Sequence, residues 1–469
     1  MSAGAGIATC TSILFVALLS IGIALYINNV QKTPYMDEIF HIPQVQQYCG
    51  GNFSSWDPMI TTLPGTYLAS VGVLYPVSMV TQQKLADVCI TATLRSINII
   101  FTTANCYLLL CISNVLNPQI TPWRAAVKAV TLTLFPVMYF FTFLYYTDPG
   151  SIFFVLMLYY FHLRGYRLLA ALMGIAAILF RQTNIIWVVF VAGLSTQDCI
   201  MDWMKKEKDG SKSKDGNDWR NFKRFLSLLW SNLKKPQLIL ELLLNILGST
   251  FWYICVGIGF AAFVHQNNGI VVGDRSHHQA CLNFPQVFYF LSVSHVFGAP
   301  HMIGIQNVLN FIKFSVKKII LVLTFCLVSF VFINKFTYVH KYLLADNRHY
   351  VFYVWSKIFR RHDYVRYALI PIYYHAAWQI QECLKHKNVF WKFVFLICLV
   401  LSTVPQMLME FRYFIIPYLI LRLNMINESL VRTLMELLLY AAINLGTVYM
   451  FGERSFVWEN SRDVQRFMW

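Results

Sequence analysis

Charge is what this sequence has least of. Asp, Glu, Lys and Arg make up 13% of its 469 residues, about half the share of an average soluble domain. Hydrophobic residues account for 57%, the mean hydropathy is +0.52, and apolar runs follow one another from end to end. Scarce charge and repeated apolar runs exclude a soluble multidomain protein. They predict an all-α, polytopic transmembrane protein, because a single helix can satisfy its own backbone groups within lipid.

Several motifs are missing as well. No Asp-x-Asp pair is present to hold a divalent metal and a nucleotide diphosphate, and there is neither a Gly-rich phosphate loop nor a Rossmann fingerprint. A nucleotide-sugar donor is therefore disfavoured. None of the 11 Cys forms a Cys-x-x-Cys pair, so most read as small membrane hydrophobes. Lys plus Arg (38) exceed Asp plus Glu (22) by 16. In a soluble chain this excess would suggest nucleic acid, but here the bilayer is the expected partner and the cations fit cytosolic loops and lumenal anion sites.

What is present reads as one integral-membrane domain over 1–469. Residues 9–28 form an apolar run about long enough to span the bilayer and read as an uncleaved signal-anchor. Further helices are expected over 64–82, 88–116, 129–147, 150–163, 168–197, 237–264, 285–303, 318–336, 366–381, 389–406, 410–423 and 431–451, for about 12–14 membrane helices. A straight helix over 168–197 would be ~45 Å long. It is therefore expected to be a hairpin bent at Arg181-Gln182-Thr183-Asn184. The 64–82 stretch is expected either to lie along the lumenal interface or to belong to a three-pass arrangement. The 198–236 segment is rich in Lys and Arg, with a Lys-, Asp-, Gly- and Ser-rich middle, and reads as a cytosolic loop with a disordered centre.

With that loop on the cytosolic side, polar clusters gather on the other face: the first lumenal loop (31–62), 147–150, 181–184, 269–278, 335–350, and Glu410 with Arg412. Such a convergence of costly charges is how a site at a membrane surface looks. The sequon Asn52-Phe53-Ser54 lies on this side. Cys49 and Cys281 would share it too, so a bridge between them is conceivable.

Asp37 and Glu38 follow the first helix directly. They read either as a solvated helix cap or as the source of a general base that accepts the proton of an attacking hydroxyl. Adjacent residues cannot point the same way, so at most one takes that role. Two short stretches, Gly273-Asp274-Arg275-Ser276-His277-His278 and Leu344-Ala345-Asp346-Asn347-Arg348-His349-Tyr350, each combine cation, carboxylate and imidazole. Guanidinium groups there could stabilise a phosphate leaving group without metal or cofactor, and His277-His278 lacks a third ligand at metal-site spacing. Arg181 needs a partner or an anionic ligand at its depth. Glu410 and Arg412 read as an internal ion pair, and Arg95 as a snorkelling or paired structural charge.

The blocks 35–44 (Tyr-Met-Asp-Glu-Ile-Phe-His-Ile-Pro-Gln) and 56–65 (Trp-Asp-Pro-Met-Ile-Thr-Thr-Leu-Pro-Gly) resemble the endoplasmic-reticulum α-1,2-glucosyltransferases of asparagine-linked glycosylation. The resemblance continues through Phe180–Trp187, Gly273–Ser276, Lys341–Tyr350, Glu410–Phe414 and Gln465–Trp469. It implies a GT-C type glycosyltransferase with a lumenal site. The donor would be dolichyl β-glucosyl phosphate (dolichyl phosphate glucose), and the acceptor the diglucosylated dolichyl-pyrophosphate oligosaccharide. A β donor yielding an α link implies inversion.

On that resemblance Asp37 is expected as general base, with Glu38 as its alternative, and Arg275, Arg348 and Arg181 as donor-phosphate ligands. His41, Asp57, His277, Asp346, His349, Glu410 and Arg412 are the expected sugar or acceptor contacts. A dolichyl-phosphate-mannose-dependent mannosyltransferase would need nearly the same physics. A non-catalytic membrane regulator could share the fold. A transporter would show repeated halves, and none are found.

Overall fold

The computed structural model describes residues 3–206, 218–232, 235–275, 280–362, 364–425, 428–459 and 463–469. Helices form most of it, as the composition requires. Six described helices are long and apolar enough to cross a membrane: Gly4–Val30, Thr91–Leu116, Gln182–Lys206, Pro236–Gln266, Ile319–Phe336 and Leu430–Glu453. Their outer faces expose Leu14, Leu18, Leu25, Leu243, Leu247, Leu323, Leu327 and Leu445. Water would penalise such a surface and acyl chains accept it.

Other expected spans are shorter or interrupted by proline. The 129–147 run divides into Pro122–Thr133 and Pro136–Phe140, and 285–303 into Pro285–Phe297 and Ala299–Met302. Proline is tolerated in a helix's first turn, where its missing N–H has no partner to lose. Ile305–Lys317 has no buried residue and runs directly into the Ile319–Phe336 span, as an interfacial helix would.

The expected hairpin forms. Arg167–Phe180 ends at Arg181, which is extended (φ −150°, ψ 121°); a single 3-10 turn, Gln182–Asn184, then leads into Ile185–Lys206. The arms pack closely: a Cβ on Gly174 would lie 2.8 Å from a Val188 methyl. The 198–236 segment departs from expectation, because Ile185–Lys206 extends into it and Asp218–Asn232 is also helical. Its expected disordered centre, 207–217, lies outside the described residues.

The polar loops do meet at one end of the bundle. Gln182 Nε2 donates to Thr61 O (3.0 Å), Asp274 N to Pro58 O (2.7 Å), Asn283 N to Val404 O (3.0 Å) and Met468 N to Arg348 O (2.9 Å). The conceivable Cys49–Cys281 bridge does not form. Cys49 ends the Glu38–Cys49 helix against the 85–89 segment and is bonded to Cys89, whereas Cys281 is a free thiol whose N–H bonds to Pro405 O. That disulfide, with Gly65 packed on the Leu179 backbone, returns both ends of the 65–89 segment to the same end of the bundle. The geometry fits the interfacial arrangement of 64–82. A two-stranded hairpin, Phe456–Val457 with Val464–Gln465, closes this end.

Candidate active site

The two adjacent acids follow Met36, whose φ of +55° is left-handed and costs a non-glycine residue backbone energy. This turn starts the Glu38–Cys49 helix, where successive side chains point about 100° apart, so the two acids meet different surroundings. Glu38 is fully buried and receives Arg95 in a bidentate pair (2.8 and 2.6 Å), together with the N–H groups of Tyr35 (2.9 Å) and Tyr145 (2.6 Å). Arg95 also donates to Asn28 Oδ1 and to the carbonyls of Gln31 and Thr33. It is thus a structural charge that stitches the end of the first helix to the first loop. Asp37 is the opposite case. Its side chain is 45% exposed, and the charge nearest it is Arg412 Nη1 at 3.6 Å.

Arg412 is the hub of the site. It pairs with Glu410, lies 3.6 Å from Asp148 Oδ2 as well as from Asp37, and stacks over Phe141 and Tyr146 at 5.1 and 5.2 Å. Arg181 pairs with the other oxygen of Asp148. Asp148, which the sequence reading did not single out, thus joins the two arginines of the candidate site. Its signal was the Thr147-Asp148-Pro149-Gly150 cluster, where an acid followed by proline opens the Asp148–Leu163 helix and favours the positive helix end. Asp148 Oδ2 is buried and has no hydrogen-bond partner.

These groups border a cavity of about 600 Å³ lined by Asp37, His41, Thr61, Thr62, Tyr146, Arg181, Asp274, Asp346, Arg348, His349, Glu410 and Arg412, among others. Its size suits a sugar phosphate and part of an acceptor glycan. On the far wall, Asp346 accepts both Arg348 Nε (2.8 Å) and Nη2 (2.7 Å), and His349 Nε2 lies 3.8 Å away. Burial alone would raise the Asp346 carboxyl, but the Arg348 hydrogen bonds and His349 hold it below the usual range. His41 Nδ1 meets Tyr67 Oη at 2.5 Å. Burial pushes its imidazole below the ordinary value, against the opposing pull of Asp37 and Asp148.

The cavity gathers Asp37, His41, Arg181, Asp346, Arg348, His349, Glu410 and Arg412 from four separate stretches of chain, and three expected residues fall elsewhere. Glu38 points into the Arg95 pair, so the second carboxylate is a structural anchor here. Arg275 turns back on its own loop, capping the carbonyls of Asn267, Asn268 and Val271. Its backbone is fixed by Gly273 (φ +66°), where a Cβ would lie 2.4 Å from Pro58 O. Asp57 closes a local turn by accepting Met59 N (2.8 Å). His277 lies outside the described residues. Among those described, no group of three or more His, Cys, Asp or Glu side chains has the arrangement of a metal site.

An apolar crevice of about 500 Å³ is lined by Leu63, Leu168, Leu172, Ile175, Leu179, Trp252, Val256 and Phe260, among others. Two of its lining residues, Leu63 and Leu179, are one and two positions along the chain from Thr62 and Arg181 of the polar cavity.

A polytopic helical membrane protein with a cation-lined polar cavity at one end and an apolar crevice is the class defined by this geometry. Within that class, a sequence profile of the DIE2/ALG10 family matches residues 31–423, and the chain belongs to that family. It is 45% identical over 450 residues to the mouse Dol-P-Glc:Glc(2)Man(9)GlcNAc(2)-PP-Dol alpha-1,2-glucosyltransferase, covering 93% of this chain and 94% of the relative. The human protein of that name is 44% identical over 449 residues, with 93% of each chain covered. The Arabidopsis thaliana one is 34% identical over 501 residues, with 97% and 98% covered. No solved structure matches the chain significantly.

Proposed function

We propose that this protein transfers glucose from dolichyl β-glucosyl phosphate to the diglucosylated dolichyl-pyrophosphate oligosaccharide, forming an α-1,2 link with inversion on the lumenal side of the endoplasmic reticulum. The observation that carries the reading is the 44–45% identity over 93% of the chain to relatives bearing that activity's name, in a chain whose cavity sets the half-exposed Asp37 carboxylate beside the Arg412 guanidinium. In the reaction the acceptor 2-hydroxyl oxygen attacks the glucosyl C1. Its proton passes to the Asp37 carboxylate, and the C1–O bond breaks with its electron pair going to dolichyl phosphate. Arg348 and Arg181 face the growing phosphate charge, where a preorganised cation counts most. Arg412 sets the position of Asp37 while Glu410 and Asp148 balance its charge. His41, Asp346 and His349 supply polar contacts for sugar hydroxyls. The apolar crevice beside Leu63 receives the first isoprene units of the donor lipid.

The Cys49–Cys89 disulfide supports the lumenal side, since such bonds persist in oxidising compartments. The mannosyl alternative differs in one hydroxyl's orientation, so donor choice decides. Purified protein incubated with synthetic dolichyl glucosyl phosphate or its mannosyl analogue, and with the diglucosylated acceptor, is expected to transfer glucose alone. Transfer of mannose instead, or of neither sugar, would overturn this reading.

A further inference from the structure

The Arg348 wall of the cavity does not stand by itself. Residues 464–469 run beside it: Met468 N donates to Arg348 O (2.9 Å), Tyr350 N to Met468 O (3.0 Å), and His349 Nδ1 to Trp469 O (2.8 Å). The buried Gln465 side chain accepts Arg348 Nη1 at 3.1 Å, on the edge of the guanidinium that Asp346 leaves open, and Trp458 stacks over the same group at 4.7 Å. On its other side this segment is fastened to the wall that carries Asp37. Tyr35 Oη donates to Arg466 O (2.7 Å) and accepts Arg466 N (2.8 Å). The Arg466 side chain donates to Gln31 Oε1 and to the carbonyls of Val30, Phe451 and Gly452. Burial pushes the Tyr35 phenol up to about 12, so it keeps the proton it donates.

We infer that Gln465 and Tyr35 are positioning residues for the donor. Through the 464–469 segment they set the distance and angle of Arg348 relative to Asp37 across the cavity. A guanidinium has five N–H donors in a fixed fork. With Asp346 and Gln465 each taking part of that fork, the rest is aimed at the cavity. Releasing Gln465 lets the group swing toward Asp346. Releasing Tyr35 loosens the segment that carries both walls. The inference rests on the reading that Arg348 contacts the donor phosphate.

The test is steady-state kinetics on purified Gln465→Met, Tyr35→Phe and Arg348→Ala, varying donor and acceptor separately, with each protein's folded fraction measured by thermal unfolding. Gln465→Met is expected to raise the donor KM roughly tenfold, the scale of one hydrogen bond to a charged group, and to leave the acceptor KM unchanged. Tyr35→Phe should act in the same direction, and the double variant should lose less than the product of the two, because both act through one segment. If Arg348→Ala raises the donor KM but neither of the other variants does, the inference falls and the phosphate reading stands. Variants that reduce only the folded fraction, with both KM values unchanged, would also overturn it. If Arg348→Ala itself leaves the donor KM unchanged, the phosphate reading is what fails.

Discussion

Two ionic clusters lie deep in this protein, and they are built to opposite ends. In the first, Arg422 and Glu436 are both fully buried and bonded bidentately (2.9 and 2.6 Å). His301 (3.1 Å), Tyr440 (3.0 Å) and Tyr418 (3.3 Å) complete the Glu436 carboxylate, while Arg422 also pairs with Glu428, which Lys128 approaches at 3.5 Å. Every charge there faces its opposite, and none lines the polar cavity or the apolar crevice. In the second, Arg412 and Arg181 are shared among Asp37, Asp148 and Glu410, so carboxylates outnumber guanidinium groups. Asp148 keeps an unbonded oxygen and Asp37 stays half exposed beside an open volume. A sealed network holds helices together. An under-satisfied one beside a cavity leaves a carboxylate able to take up a proton.

The contrast can be broken from either side. The largest stability effect is expected at the sealed cluster. Glu436→Gln should destabilise the protein by about 3–5 kcal/mol, because it leaves Arg422 buried against a neutral partner, while turnover per folded molecule is unchanged. Thermal unfolding in detergent, read beside activity, checks this. At the open cluster the order reverses: Arg181→Gln should lower transfer by roughly tenfold or more, as the loss of a charge-assisted contact predicts, with a smaller stability cost. Single-turnover kinetics at saturating donor would show it.

A weaker effect is expected from acid. His41 is held below its ordinary value, so the unfolded chain binds its proton first; its contribution is complete above about pH 6.5 and is lost as the pH falls through the folded value. Asp346 behaves in the same sense below about pH 4. The unfolding midpoint should therefore fall on acidification, and His41→Gln should flatten the part of that fall nearest pH 6. The smallest effect is expected at Asn52, exposed in the first loop with Ser54 Oγ 3.0 Å from its Oδ1. Asn52→Gln should leave transfer unchanged but abolish a glycosidase-sensitive mobility shift if that loop faces the lumen.

Where sequence and structure agree, the signal was local. Thirty apolar residues are too long for one crossing, and the polar step Arg181-Gln182-Thr183-Asn184 within them marks the bend. A lone Arg95 in an apolar helix has to find a carboxylate, and it finds Glu38. Length and hydropathy likewise carried the helical class. What was not legible depends on long-range pairing. Nothing in the spacing says that Cys49 meets Cys89 and not Cys281, that Arg275 folds back on Asn267, or that residues 464–469 lie against Arg348. Asp37 and Glu38 were indistinguishable as neighbours, because the choice between them is made by a partner 57 positions away from Glu38. Asp148 was hidden for a related reason: beside a proline it looks like an ordinary helix start until Arg181 and Arg412 arrive from other loops.

The central claim is that the two neighbouring acids have split their work, Asp37 taking the proton and Glu38 holding the wall. The most direct measurement is glucose transfer per folded molecule by Asp37→Asn and Glu38→Gln, side by side with their unfolding midpoints. Asp37→Asn is expected to lose roughly 10²-fold or more in rate, in the range of a removed general base, with a midpoint near that of the unsubstituted protein. Glu38→Gln is expected to be strongly destabilised but active in whatever fraction folds. An Asp37→Asn protein that transfers glucose at the original rate, or a well-folded Glu38→Gln protein that does not, would contradict the claim.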